Sequence, residues 1–293
     1  MNLQKIVSSA AEEIGLEVPS SIVSNRSPQV RQLRSLLTRL CIDLCKQHDW
    51  ESLIRTHCLA GSTMDLDLDT NEGSIVATLH EDRPVMDYVI SCPGLGSRVH
   101  IVSQSGTQIR LDRPAQGTAT VQARFERYRY DLPQDHLRML DSTLYGSSGL
   151  GNAAYGSVLP QGWRKMMAMA MAGELSIQYR LRAGKLEIWP PLSGRASYEY
   201  ISKNFVLSDG DDASDFTDDA DRTVFDGSML VSGLIALFRQ ANGIDATFDL
   251  SNFQSLFAAS KNQDTPAPEL NLNGGRQGRI IDQNNIPEGN WNV

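Results

Sequence analysis

The sequence predicts an α+β protein: an α-helical bundle core with a β-meander, an inserted small antiparallel β domain and an extended C-terminal tail. Three observations carry this. Ser27–Trp50 repeats leucine at spacings of three and four, the pattern of one long amphipathic helix. Between Val85 and Tyr130 the apolar period falls to two, as in half-buried strands. After Lys261 the apolar patterning stops, and the remaining chain is rich in Asn, Gly, Gln and Pro. The expected organisation is a helical core over 1–59 and 131–262 with a β-meander at 176–203, an inserted β domain over 60–130, and a tail over 263–293.

Each element has its own reason. Asn2–Ile14 places Leu3, Ile6, Val7, Ala10 and Ile14 on one face and stops at Gly15. A helix that short is marginal alone, so it must dock. Leu16–Arg26 is a linker. In the long helix Pro28 follows Ser27, the order of a first helical residue after its cap. Its stripe is Leu33, Leu37, Leu40 and Leu44, widened by Val30, Leu36 and Cys41, while Arg31, Arg34, Arg39, Asp43 and Lys46 fill the remainder. Such a face requires cover, expected from Asn2–Ile14 and from two late helices, Phe225–Asn242 and Phe248–Ser260.

Gly61–Asp82 is acidic and weakly patterned. Val85–Ser91, Arg98–Ser103, Gln108–Leu111 and Thr118–Tyr130 then predict strands, separated by the turn-forming PGLGS, SQSGT and DRPAQG. Together they suggest a small barrel or sandwich. Helical pattern resumes from Leu132, with Leu137, Met139 and Leu140 apolar, and Tyr145–Ser157 reads as a loop. Pro160–Gly173 is a compact helix whose Met166, Met167, Met169 and Met171 form either a flexible core stripe or a repackable contact surface. Ser176–Arg182, Lys185–Pro190 and Arg195–Lys203 predict a three-strand meander, turning at RAGK and at PPLSGR. In the tail, Ile280, Ile281, Ile286 and Trp291 are isolated apolar residues, consistent with a segment lying along a partner or with a plain disordered terminus.

The chain has 293 residues, 41% of them hydrophobic, enough for a sizeable core. A net charge of −8 and a pI near 5.2 argue against a general nucleic-acid binder. They do not argue against an assembly that surrounds DNA, because a negative wall lets a duplex slide. The N-terminus is too polar for a signal peptide, and no segment has membrane-spanning length and apolarity. Cys41 and Cys45 lie one helical turn apart, and with Cys58 and Cys92 they offer no CxxC pair, so thiols without disulfides or metal are expected.

Catalytic signals are thin. His48, His57, His80, His100 and His136 lack HExxH spacing, Ser62, Ser147 and Ser148 lack a GxSxG setting, and Gly149–Gly151 has no Walker lysine. The run LSDGDDASDFTDDAD breaks the EF-hand order and reads as a solvated turn. No catalytic, cofactor-binding or metal-binding residue is assigned, no cofactor is expected, and the chain is not expected to be an enzyme.

The order of several phrases points further. AEEIGLEVPSSIVSNRSPQVRQL, HDWESLIRT, YDLPQDHLRMLDSTLYG and LRAGKLEIWPPLSGRASYEYISKNFV occur in sequence between residues 3 and 260. In this the chain resembles the head-to-tail adaptor (head completion, or connector) proteins of short-tailed bacteriophages. The stretch GTQIRLDRPAQGTATV also looks like the β insert of those proteins. Acidic Gly61–Asp82 and the Asn/Gly-rich tail depart from the pattern.

The resemblance implies a structural virion protein. Such proteins form a ring, commonly a dodecamer, between the portal and the tail tube or nozzle, where they extend the DNA channel and help retain packaged DNA. The implied partners are other copies of the chain, the portal, the tail protein, and double-stranded DNA passing without sequence recognition, with no membrane. The implied location is the head–tail junction of the virion, and the host cytoplasm during assembly. Arg31, Arg34, Arg39 and Lys46 become candidates for contacts with the next subunit, and Ile280, Ile281, Ile286 and Trp291 for portal anchors. The competing readings are a virion-associated enzyme, a nucleic-acid-binding module and a carbohydrate-binding structural module.

Overall fold

A computed structural model gives the fold and describes residues 1–146, 154, 156–169, 177–208 and 212–264. Among these are sixteen strands and five α-helices, so the chain is mostly β. The expected α-helical bundle core is therefore wrong. The helices do pack together, but they form one layer whose core is completed by sheet and loop residues.

That layer comprises α1 (Leu3–Glu13), α2 (Pro28–Gln47), α4 (Gly227–Ala241) and α5 (Thr247–Asp264). The Asn2 side chain caps α1 by accepting from Lys5 N–H, and Asp226 caps α4 by accepting from Met229 N–H. Leu33, Leu37, Cys41 and Leu44 of α2 are buried against Leu3, Ile6 and Val7 of α1 and Met229, Leu230 and Leu234 of α4. Phe205, Val206, Phe216 and Phe225 close the same cluster from outside the helices. The closest approach falls at Gly233, where an added Cβ would lie 2.8 Å from a Leu40 methyl and 2.9 Å from the Phe253 ring. By contrast α5 buries none of its residues fully and leans on α4 through Phe253, Leu256 and Phe257.

The aspartates of the 207–221 run are not simply solvated. Asp219 accepts from Ile22 N–H at 2.9 Å and Val23 N–H at 2.8 Å, which ties the linker to the helical layer. Asp221, 3% exposed, accepts from the N–H groups of Thr217 and Asp218.

After α2 the chain turns into β1 (Ile54–Ala60) and then enters a closed barrel. Its strands are β2 (Thr63–Thr70), β3 (Val76–Leu79), β4 (Tyr88–Cys92), β5 (Gly96–Ser105), β6 (Gln108–Leu111) and β7 (Ala119–Arg127), in the order β2-β3-β6-β5-β4-β7. Leu66, Leu68, Ala77, Leu79, Ile90, Val99, Ile109, Ala123 and Phe125 fill the interior. Acidic β2 belongs to it because TMDLDLDT alternates strictly, with Leu66 and Leu68 inside and Asp65 and Asp67 exposed.

Beyond the barrel come β8 (Arg129–Asp131), β9 (His136–Met139), β10 (Tyr145–Gly146), α3 (Pro160–Met169), β11 (Gln178–Arg182), β12 (Lys185–Trp189), β13 (Arg195–Ser202), β14 (Val206–Leu207), β15 (Asp212–Ala213) and β16 (Arg222–Thr223). The helix expected after Leu132 is instead β9, held by pairing with Tyr200–Ser202 of β13. The expected three-strand meander is also corrected. Strand β12 pairs with β11 on one side and with β8 on the other, whereas β13 leaves to pair with β1, β9 and β10. Pro190 and Pro191 explain the break, since neither can donate to a continuing ladder.

Strand β13 is consequently the hub of a four-stranded sheet, and matches β1 from Ile54↔Ile201 to Ala60↔Arg195. Gly61 follows at a point where a Cβ would sit 2.1 Å from the Leu192 carbonyl oxygen, so only glycine fits. Asp135 fastens β9 to the hub: its carboxylate accepts from Tyr200 Oη at 2.9 Å and Ser202 Oγ at 2.7 Å, and its carbonyl accepts from Lys203 N–H at 2.7 Å. Burial raises the Asp135 carboxyl, but the Ser202 and Tyr200 hydroxyls outweigh it and hold the group below its ordinary range. Replacing Asp135 by Ala is expected to cost about 3 kcal/mol, the scale of losing hydrogen bonds to a charged acceptor, as read from urea unfolding.

Candidate functional site

A cleft of about 1130 Å³ lies between the barrel, the β11–β12 hairpin and the start of α3. It is lined by five arginines, Arg113, Arg129, Arg164, Arg180 and Arg182, against two carboxylates, Asp112 and Glu187. A basic cleft in a chain of net charge −8 is a local concentration of one sign.

Strand register builds its inner wall. Glu187 on β12 lies opposite Arg180 on β11 and opposite Arg129 on β8, a row of plus, minus and plus across one sheet. The turn Ala183–Gly184 sets that register: both residues have positive φ, 50° and 73°, the geometry of a two-residue hairpin turn. Glu187 is 2% exposed and accepts from Arg129 Nε at 2.8 Å and Arg180 Nε at 2.5 Å. Each guanidinium also covers a ring, Arg180 over Trp163 at 4.4 Å and Arg129 over Tyr128 at 5.0 Å. Beneath them Val89, Tyr128, Trp163 and Trp189 form a small apolar cluster.

The same setting dictates protonation. Burial pushes the His100 imidazole down to about 4, so it is neutral at pH 7. Its ring meets Tyr128 edge-on at 5.2 Å, and its Nδ1 has no hydrogen-bond partner among the described residues, as is also true of Trp163 Nε1. Burial also pushes the Tyr128 hydroxyl up to about 12. With its arginines, a neutral imidazole, a protonated phenol and a paired carboxylate, the cleft offers donors and positive charge suited to an anionic and partly apolar surface.

None of these cleft residues was assigned from the sequence. The pairing of Arg180 with Glu187 was within reach, because a two-residue turn at RAGK places them opposite. The third member, Arg129, arrives from beyond the barrel and has no local signal.

The residues singled out from the sequence lie elsewhere. Arg34 donates to the Phe216 carbonyl, at 2.5 Å, and so serves the helical layer. Arg39 and Lys46 each stand 3.9 Å from Asp43, and Arg31 is exposed. Ile280, Ile281, Ile286 and Trp291 lie outside the described residues, as do Gly149–Gly151, Met171 and the side chains of Met166, Met167 and Met169. Cys41 and Cys45 are buried free thiols; burial raises both, Cys45 to about 11. Among the described residues there is no group of three His, Cys, Asp or Glu side chains placed to hold a metal ion, and no helix long and apolar enough to cross a membrane.

Two outcomes are expected. Arg180→Met destabilises the fold by about 3–5 kcal/mol, because buried Glu187 is left with one partner fewer; Arg180→Met with Glu187→Leu recovers part of that loss in the same unfolding assay. His100 is expected to titrate near 4 when followed by NMR. The unfolded state binds the extra proton between that value and the ordinary 6.5, so stability falls as pH drops through this window, by about 3 kcal/mol in all, and His100→Phe removes that slope. Neither a family model nor a curated protein matches the chain.

Proposed function

We propose that the chain is a structural adaptor subunit that assembles into a ring, with twelve copies as the expected number, between a portal and a tail tube or nozzle. One observation supports this reading: the four phrases that carry the resemblance to adaptor proteins, scattered along the sequence, meet in space. Ile54–Thr56 of HDWESLIRT pair with Glu199–Ile201 of ASYEYISKN. Asp135 of YDLPQDHL bonds to Tyr200 and Ser202 of that same strand. Tyr130 at the head of YDLPQDHL lies opposite Leu186 of GKLEIWPP. The phrase SPQVRQL opens α2, whose Leu33 and Leu37 share a core cluster with Ile201 and Phe205. These four phrases therefore lie on one packed frame, and the further likeness, GTQIRLDRPAQGTATV, lies in the barrel inserted into it.

In this function the exposed charges of α2, Arg31, Arg39 and Lys46, are candidates for a neighbouring subunit, whereas Arg34 is already held within its own chain. The residues beyond 264, with Ile280, Ile281, Ile286 and Trp291, are the candidate portal anchors. Packaged double-stranded DNA passes through the ring without base recognition. The protein incubated with its portal is expected to give ring-sized particles by mass measurement and electron microscopy. A chain that stays monomeric in that mixture and in the mature particle contradicts the proposal.

A further inference from the structure

We propose that the α4–α5 corner of one copy seats in the arginine cleft of the next copy, so that the ring closes through a head-to-tail contact. This rests on the ring reading and names the surfaces that would make it.

Exposed apolar side chains gather at both places. Leu159, Val102 and Leu181 stand on the cleft with 77%, 56% and 40% of their surface exposed. Ile244, Phe248 and Leu250, at the corner where α4 gives way to α5, are 56%, 82% and 37% exposed. Phe248 and Leu159 are the two most exposed large apolar side chains among the described residues, one on each surface. An aromatic anchor entering a pocket walled by arginines, two of them stacked on a buried tryptophan and tyrosine, is the composition of an interface centre.

Charge agrees in sign. Arg164 and Arg182 line the cleft, are exposed, and have no ion-pair partner among the described residues. The corner presents Asp245 beside Phe248; its carboxylate is exposed and, accepting from the Thr247 hydroxyl and N–H, is held below its ordinary range and stays ionised. The nearby Asp249 is occupied by Arg239 at 2.7 Å, which fixes the corner's geometry. The two surfaces share no residue, so a two-fold contact of cleft on cleft would oppose arginine to arginine. Cleft to corner is a heterologous contact, and repetition of such a contact by one rotation generates a ring.

The test uses the full chain mixed with its portal, with the ring fraction measured by sedimentation velocity and native mass spectrometry. Phe248→Ala, and separately Arg164→Glu with Arg182→Glu, are expected to lower the ring fraction at least tenfold. The thermal midpoint should stay unchanged, since these side chains are exposed. Adding Asp245→Arg to the double charge reversal is expected to restore rings. Rings that persist in both variants overturn this inference and leave the ring reading standing. Loss of rings without rescue by Asp245→Arg also overturns it, and indicates that the cleft takes another acidic surface, such as the portal. A wild-type chain that never forms rings overturns both.

Discussion

A carboxylate shut away from water has to be neutralised where it stands, and Glu187 sets that condition for much of this molecule. Its two guanidinium partners come from strands on either side, so the register of β8, β12 and β11 is what brings the ion row together. Each guanidinium is shared with a ring, and through Trp163 the arrangement also touches the first turns of α3. The arginines of the cleft consequently divide into two kinds. Arg129 and Arg180 are structural, committed to Glu187 and to aromatic faces. Arg164 and Arg182 stand at the rim with their charge directed to solvent. A basic surface therefore coexists with a rigid and locally balanced wall behind it.

The second constraint is the pairing of β13. The strand takes β1 along one side and β9 and β10 along the other, and Asp135 fastens one of those joints with side-chain bonds. Its Ile201 also belongs to the core under α2, so the helical layer and the sheet share one hydrophobic interior. This is why a helix as amphipathic as α2 is not evidence for a helical bundle: a sheet and its following loops can cover such a face as well as other helices can.

Legibility in the sequence followed the range of the interactions. The helices α1, α2, α4 and α5 were legible to within a few residues, because a 3.6-residue period, a cap or a terminating glycine is written locally. Strands β4 to β7 were legible from alternation and turn chemistry. Acidic β2 was obscured because aspartate on the outer face drew more notice than Leu66 and Leu68 between them. The segment around Leu137 and Met139 carries apolar residues at spacings of two and three, and only pairing with β13 decides for a strand. The cleft was the least legible feature, since Arg129, Glu187 and Arg180 converge through the register of strands separated in sequence by a whole barrel.

The barrel's point of attachment has one more consequence. Arg127 N–H donates to the Ser62 carbonyl at 2.9 Å, so the chain leaves the barrel beside the place where it entered. Beyond this gate, the frame touches the barrel through Lys185 on the Asp87 carboxylate at 2.6 Å, through the Tyr128 and Arg129 N–H groups on the Asp87 carbonyl, through Arg98 and His100 against the Trp189 ring, and through Val89 in the cluster with Tyr128, Trp163 and Trp189. A connection whose ends already meet imposes little on the length or content of what lies between them, because the entropy of closing a loop grows only slowly with its size. The position between Ser62 and Arg127 is thus a socket: the chain re-enters the frame where it left it, so a change in the length of what lies between costs little in loop closure.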